Sequence, residues 1–256
     1  MISIKSFCAG VFLLILLTIN FNLSAQKLRI AVAANAHGLI KKLQSDFKKR
    51  TGIETEAVIG ASGKLTSQII NGAPYEVFLS ADTAFPHRLF NDGFGLAKPK
   101  VYALGSLIVC GSAIADLKNW PALLSSGQVS KVAISNPKTA PYGKAAEESL
   151  KFYKLDKKLK NKLVYGESIA QVNTYIQTGV VDLGFTTESF LYEKSDKTKL
   201  KWARVEEKSY GKIEQAVILL SYAKKSGNGN AQKFYDYLSS SYARKIIASN
   251  GYHLPK

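Results

Sequence analysis

Short apolar runs alternate with helix-like segments along the first hundred residues, and this order limits the folds open to the chain. The runs at 28–34 (LRIAVAA), 53–59 (IETEAVI) and 76–80 (EVFLS) have the length of buried strands. A helical pattern follows each run, and Gly52 and Gly93 stand where two of these helices should end. A βαβαβα order predicts a parallel sheet with helices on both faces.

The same alternation starts again after residue 100. Further strands are predicted at 101–110, 131–135, 163–165, 182–186 and 216–222, with helices between them and two more helices within 231–249. One sheet could hold all of these strands, but two lobes suit the length of the chain better. We therefore predict an α/β fold in which two doubly wound lobes enclose a ligand cleft.

The first 25 residues have the pattern of a cleaved secretory signal. Lys5 supplies a positive start, and the apolar run at 11–19 is too short to span a membrane. Small residues end the segment at Ala25, and Cys8 precedes the apolar run, so we expect no lipoprotein anchor. The sequence predicts an exported, soluble protein of 231 residues, which are the 256 of the chain less this segment.

The net charge of the whole chain is +16, and the loss of Lys5 with the signal leaves +15. The basic residues are scattered among acidic and apolar ones, which is typical of solvated helix faces rather than of a nucleic-acid surface. We therefore expect no nucleic-acid partner. The excess positive charge favours long-range attraction of anions.

Cysteine and histidine give no pattern typical of a metal site. Only Cys110 remains after the signal, so an internal disulfide is impossible, and its apolar run predicts a buried thiol. His37, His87 and His253 lie far apart and have no recognisable ligand spacing. We predict no site for a free metal ion.

Four junctions in the predicted fold join the end of a strand to the start of a helix. Such junctions expose backbone N–H groups and the positive end of a helix dipole, and ligands of parallel sheets bind there. They lie at 34–35, 60–63 (GASG), 136–143 (NPKTAPYG) and 166–169 (GESI). Together they indicate an anion site.

Three of these junctions also carry a hydroxyl or amide side chain, on Asn35, Ser62 and Tyr142. Each side chain has a structural alternative. Asn35 and Ser62 could simply cap the helices that follow them, and Tyr142 could cover the start of its helix. For Ser62 we expect both roles, because the N–H groups that a helix start exposes can also hold an oxyanion.

The sequence at these junctions resembles the periplasmic molybdate- and tungstate-binding proteins of ABC importers. The shared text is AANAHGL, GASGKLTSQIINGAPYEVFLSAD, ISNPKTAPYG, GESIAQV, FYDYL and the closing GYHLP, so that the resemblance spans essentially the whole mature chain. It implies a type II periplasmic-binding-protein fold with one lobe formed by 26–103 and 216–256 and the other by 104–215. It places the two hinge strands near Leu104 and Ala216.

The resemblance also implies a binding site, a location and partners. The oxyanion would be held by Asn35, Ser62, Tyr142 and Ile169, with Ala34, Ala61 and Thr187 as further candidates; Thr187 stands where some members have a tyrosine. Tyr142 would contribute its hydroxyl or its backbone, and Ile169 a backbone N–H. The protein would be a monomer in the periplasm, with no cofactor, that delivers molybdate or tungstate to an ABC permease.

Other ligands remain as alternatives. Neutral donors favour a fully deprotonated oxyanion such as molybdate, tungstate or sulfate. Phosphate keeps a proton near neutral pH and favours an acceptor, for which Glu167 is the nearest candidate. A ferric site would need clustered phenolates, for which the sequence offers Tyr142, Tyr165, Tyr175 and Tyr192.

The sequence offers little for an enzyme. Ser221-Tyr222-Ala223-Lys224 matches the S-x-x-K pattern of serine acylases, but neither S-D-N nor K-T-G follows. The segment at 60–64 (GASGK) misses the G-x-S-x-G elbow by one residue, and three dispersed histidines support no Ser-His-Asp arrangement. We predict a binding protein that performs no chemistry.

Overall fold

The computed structural model describes residues 27–112, 116–193, 200–227 and 229–255. The predicted signal at 1–25 lies outside these residues. Within them the chain forms two five-stranded sheets, and no helix is long and apolar enough to cross a membrane.

The first sheet has the strand order β2-β1-β3-β10-β4. Its strands are β1 (Leu28–Ala33), β2 (Thr55–Gly60), β3 (Val77–Ser80), β4 (Lys100–Gly105) and β10 (Ile213–Leu219). β1 is parallel to β2 and β3, whereas β10 is antiparallel to β3 and β4. Ala33 pairs with Gly60, so the carboxyl ends of β1 and β2 meet at one edge of the sheet.

The second sheet has the order β7-β6-β8-β5-β9. Its strands are β5 (Leu107–Gly111), β6 (Val132–Ser135), β7 (Leu163–Gly166), β8 (Leu183–Thr187) and β9 (Lys201–Arg204). β6 is parallel to β7 and β8, whereas β5 is antiparallel to β8 and β9. The ends of β6 and β7 meet where Ser135 pairs with Gly166.

Helices connect the strands and cover the sheets. They are α1 (His37–Thr51), α2 (Ser62–Ile70), α3 (Ala84–Asn91), α4 (Trp120–Ser125), α5 (Pro141–Phe152), α6 (Asp156–Leu159), α7 (Ile169–Thr178), α8 (Tyr222–Lys225), α9 (Asn230–Tyr237) and α10 (Ser241–Ala248). Three short 3-10 segments occupy Ala34–Ala36, Glu188–Tyr192 and Glu207–Ser209.

The first sheet is covered on both faces, because alternate residues of a strand point to opposite sides. Ile30 and Val32 of β1 belong to the apolar cluster that contains Phe47 of α1. Ala31 between them belongs to a separate cluster with Leu65 of α2. The alternation of strand and helix therefore predicted the layers correctly.

Two predictions about the strands were wrong. The sheets are mixed rather than parallel, because apolar periodicity reports burial and not the direction of a neighbouring strand. The run at 101–110 is not one strand: β4 ends at Gly105 and β5 begins at Leu107, and these two strands belong to different sheets.

The chain crosses between the lobes at two places. It passes from β4 to β5 through Ser106 and returns from β9 to β10 between Arg204 and Ile213. The predicted divisions at 103/104 and 215/216 fall inside β4 and β10, a few residues from these crossings. The exposed strand β9 was not predicted from the sequence.

Candidate ligand-binding site between the lobes

The four predicted junctions converge on one cavity between the two sheets. The cavity has a volume of about 210 Å³ with its open mouth included. It is lined by Ala33, Ala34, Asn35, Ala61, Ser62, Ala81, Ala140, Pro141, Tyr142 and Ile169. Even with this open space counted, the volume is below the roughly 300–1,000 Å³ of sites for drug-sized molecules, so a ligand held here must be small and compact.

Six of the seven candidate residues line this cavity. They are Asn35, Ser62, Tyr142, Ile169, Ala34 and Ala61; Thr187 does not line it. Ala81, which directly follows β3, also lines the cavity and was not predicted from the sequence. Because β3 is parallel to β1, its carboxyl end lies at the same edge of the sheet. The predicted strand at 76–80 was therefore enough to suggest that the next residue, Ala81, lies at the site.

Three helices begin at the cavity. Ser62 is the first residue of α2, Tyr142 the second of α5 and Ile169 the first of α7. The N–H groups of a first helical turn have no partner within the helix, and they carry the positive end of its dipole. Every lining residue within the described part of the chain is uncharged. The cavity can thus hold an anion through neutral dipoles.

The hydroxyl of Ser62 is oriented by the third strand of the first sheet. Its Oγ accepts a hydrogen bond from the N–H of Ala81 at 3.1 Å, and the side chain is almost fully buried. The hydroxyl proton thus remains to be donated. The prediction that Ser62 caps α2 was wrong: Ala61 is the N-cap, and no side chain caps this helix.

The side chain of Asn35 is committed to other protein groups. Its Nδ2 donates to Gln215 Oε1 at 2.8 Å and to the hydroxyl of Tyr252 at 2.9 Å. The orientation of Gln215 is fixed in turn, because its Nε2 donates to the carbonyl of Ala81 at 3.3 Å. The backbone N–H of Asn35 is therefore the group that can face a ligand. Asn35 does not cap α1, whose N-cap is Ala36.

The carbonyl of Asn35 is held from both lobes. It accepts hydrogen bonds from the hydroxyl of Tyr252 at 2.9 Å and from the hydroxyl of Ser189 at 3.0 Å. Thr187 supports Ser189, since the two hydroxyls lie 2.7 Å apart and Thr187 Oγ1 accepts from the N–H of Ser189. Thr187 thus acts behind the cavity wall in this structure.

The phenol of Tyr142 reaches the crossing between β4 and β5. A Cβ built on Gly105 would overlap its hydroxyl oxygen and lie 3.0 Å from Gln215 Nε2. Neither Gly105 nor Gln215 lines the cavity. Burial raises the pKa of the Tyr142 phenol well above its ordinary value of 10.0, so the group is neutral. The backbone N–H of Tyr142 remains to face a ligand.

Direct contacts between the lobes surround the cavity. The N–H of Gly63 at the start of α2 donates to the carbonyl of Thr139 in the second lobe at 2.9 Å. Lys64 of α2 also forms an ion pair with Glu167, which lies between β7 and α7 of the second lobe, and both side chains are largely exposed. Glu167 does not line the cavity, so it is not placed to accept a proton from a bound phosphate.

The candidate groups for the other functions lie elsewhere. Among the described residues no three His, Cys, Asp or Glu side chains are grouped to hold a metal ion. Of the four tyrosines considered for a ferric site, Tyr142 alone lines the cavity, and Tyr165 and Tyr192 are exposed. Ser221 directly precedes the short helix α8 and does not line the cavity either.

Comparison with known proteins gives consistent results. Residues 28–253 match the protein family described as bacterial extracellular solute-binding protein. The molybdate-binding protein ModA of Azotobacter vinelandii is 36% identical over 231 residues, which cover 90% of this chain and 91% of that protein. The protein of the same name from Rhodobacter capsulatus is 33% identical over 223 residues, which cover 87% and 86%.

The structure of the periplasmic molybdate-binding protein of A. vinelandii is similar as well. It superposes with a TM-score of 0.83 at 32% identity, over 90% of this chain and 100% of that one. The match includes both sheets and confirms the predicted two-lobed α/β fold.

Proposed function

The chain belongs to the family of bacterial extracellular solute-binding proteins, and we propose that it captures molybdate or tungstate and delivers it to an ABC importer. The observation that carries this proposal is the cavity between the lobes, which presents neutral hydrogen-bond donors from three helix starts and from the 3-10 segment after β1. Two relatives of more than 30% identity are named molybdate-binding proteins, which supports the same ligand.

The donor set explains why a deprotonated oxyanion is preferred. Each N–H or hydroxyl that faces an anion makes a charge-assisted hydrogen bond, about twice as strong as a neutral one. The cavity supplies the N–H groups of Asn35, Ser62, Tyr142 and Ile169 and the hydroxyl of Ser62. Closure of the lobes removes water, and each of these dipoles then acts in a medium of lower dielectric constant.

Selection among oxyanions rests on size and protonation. Molybdate and tungstate are nearly equal in size and shape, so we propose that both bind with similar affinity. Sulfate is smaller and would leave some donors too distant. Phosphate carries a proton near neutral pH, and no carboxylate lines the cavity in the described part of the chain. The side-chain oxygen Oδ1 of Asn35 is buried and accepts no hydrogen bond from the described residues. Because this oxygen could accept a hydrogen bond from the proton of a bound phosphate, phosphate is included in the binding test.

The remaining assignments follow from the role of such a protein. We propose that residues 1–25 direct export to the periplasm and that the mature protein is a monomer. We also propose that an ABC permease binds the protein when its two lobes are closed. We further propose that it needs no cofactor and catalyses no reaction. The iron alternative is less favoured, because a ferric site needs several phenol oxygens and Tyr142 is the one tyrosine among the described residues that line the cavity.

Calorimetry on the ligand-free mature protein tests this function. Molybdate, tungstate, sulfate, phosphate and ferric citrate are titrated separately at the same ionic strength. We expect tight 1:1 binding of the first two and little heat from the others. Tight binding of sulfate or phosphate would assign another substrate to the same cavity, and heat from ferric citrate with a visible charge-transfer band would support the iron alternative.

A further inference from the structure

Gly105 is the last residue of β4 and directly precedes the first crossing between the lobes. A methyl group at this position would overlap the hydroxyl oxygen of Tyr142 and lie 3.1 Å from its Cζ. Gly105 is not among the glycines with positive φ, so its backbone could accept alanine without strain. What requires a glycine here is therefore the close approach of a side chain from the other lobe.

Tyr142 connects this crossing to the cavity. The residue lines the cavity, its backbone belongs to the first turn of α5, and its phenol reaches the first sheet at Gly105 and Gln215. The phenol is buried, and its hydroxyl makes no hydrogen bond of ordinary geometry among the described residues, although the Thr187 side chain lies close enough to act on its pKa. The position of the ring therefore depends mainly on shape, through the close approach to Gly105.

We propose that Gly105 is a positioning residue that admits the phenol of Tyr142 and so sets how far the second lobe closes on the first. The start of α5 carries the Tyr142 N–H, and a rigid aromatic ring joins that N–H to the crossing. Any atom added at Gly105 pushes the ring, and with it the donor, away from the ligand. This inference rests on the proposed function, because it explains how one donor of that site is placed.

Gly105→Ala tests the proposal, with Gly211→Ala as its matched control. Gly211 lies in the second crossing, also without positive φ, and a Cβ there would meet only Glu148 Oε2 at 3.5 Å. We expect Gly105→Ala to weaken molybdate binding about tenfold or more, as overpacking of a buried contact does, and Gly211→Ala to leave it unchanged. Tyr142→Phe in the Gly105→Ala background removes the overlapping oxygen and should restore most of the affinity.

Tyr142→Phe alone separates this proposal from direct contact between the hydroxyl and the ligand. We expect it to lose clearly less affinity than Ser62→Ala, because the backbone N–H of Tyr142 is retained. A loss as large as that of Ser62→Ala would show that the hydroxyl contacts the ion and would overturn the proposal. Equal behaviour of Gly105→Ala and Gly211→Ala, or no rescue in the double variant, would also overturn it.

Small-angle X-ray scattering distinguishes failure of the Gly105 proposal from failure of the proposed molybdate-binding function. We expect Gly105→Ala to have a larger radius of gyration than the original protein and the double variant, with or without molybdate. If none of these proteins binds molybdate but Gly105→Ala still has the larger radius of gyration, the proposed function is wrong, and the role of Gly105 in setting the distance between the lobes is supported. If neither Gly105→Ala nor the double variant folds, the glycine serves the fold itself, and the proposal is overturned.

Discussion

At the scale of single residues, the candidate site separates groups that face the ligand from groups that hold them. Ser62 has a hydroxyl proton to donate because its oxygen already accepts from Ala81. The side-chain amide of Asn35 donates its protons to Gln215 and Tyr252, so the backbone N–H is the donor left for a ligand. A hydrogen bond to a charged group contributes about 1.5–3 kcal/mol, and a few such bonds give useful affinity for an ion.

Ser62→Ala is the sharpest single test of the site. It removes one charge-assisted hydrogen bond and should weaken molybdate binding by about 1.5–3 kcal/mol, roughly ten- to a hundredfold. Calorimetry measures this difference. Ser67→Ala on the same helix is the control, because its hydroxyl donates to the carbonyl of Gly63 and does not line the cavity. Equal effects from the two variants would contradict a ligand role for Ser62.

The carboxyl group of Asp82 gives a pH-dependent prediction. Burial is the largest cause that raises its pKa above the ordinary value of 3.8, while hydrogen bonds from Ser80 and Phe85 oppose the shift. Because the pKa is raised in the folded state, folding favours the protonated carboxyl. The free energy of unfolding therefore decreases as the pH rises through the folded-state pKa and the carboxyl loses its proton. Asp82→Asn keeps an oxygen for both donors and remains neutral.

We therefore expect Asp82→Asn to be more stable than the original protein at pH 7, with the difference shrinking as the pH falls through the raised folded-state pKa of Asp82 and vanishing below about pH 3.8. Urea unfolding of both proteins at several pH values measures it. Asp92→Asn serves as a control, because Asp92 lies on an exposed helix end beside Arg88. A variant that is less stable at pH 7, or a difference that does not change with pH, would contradict the prediction.

At the scale of elements, the first turn of α2 meets the second lobe directly. This turn approaches Thr139 so closely that a Cβ on Gly63 would lie 3.0 Å from the Thr139 Cα and from the Phe85 ring. The Gly63 N–H donates across the same contact. The glycine at this point of GASG therefore serves the approach of two lobes as well as the turn.

Gly63→Ala should hold the lobes slightly apart. We expect molybdate affinity to fall about tenfold through a faster dissociation rate, since the closed form is destabilised while the open form still meets the ion. Stopped-flow fluorescence gives both rate constants, and Gly211→Ala is again the control. A slower association rate with an unchanged dissociation rate would assign the effect to ligand entry instead of to closure.

At the scale of the whole molecule, the net positive charge and the uncharged cavity act at different stages of binding. The mature chain carries a net charge of +15 by sequence, yet none of the charged residues in its described part lines the cavity. The surface charge can attract a dianion over a distance of about one Debye length, and the neutral donors then bind it.

This division predicts how salt changes the kinetics. The association rate constant of molybdate should fall as ionic strength rises from about 0.01 to 0.15 M, because exposed charges are screened. The dissociation rate constant should change little, since contacts inside the closed cavity are screened much less. Stopped-flow measurements in NaCl and KCl at equal ionic strength distinguish screening from a specific ion effect. A salt effect confined to dissociation would contradict the prediction.

The sequence by itself determined the local features of this protein. Periods of apolar residues report which side of an element is buried, so the strand and helix order and the four junctions could be predicted. The family resemblance supplied the candidate residues, and six of them line one cavity. Features that depend on neighbours in space were missed or wrong, among them the antiparallel strands β5 and β10 and the division of 101–110 at Ser106.

Only the tertiary structure decided which atoms of the candidate residues are left free to contact a ligand. The amide of Asn35 meets Gln215 and Tyr252, which lie about two hundred residues further along the chain, and the phenol of Tyr142 meets Gly105 across the lobes. A side chain can donate each proton only once, so its role depends on partners that local sequence does not specify. The physical reason is that local pattern encodes burial, whereas the assignment of hydrogen bonds and close approaches follows from how the two lobes meet.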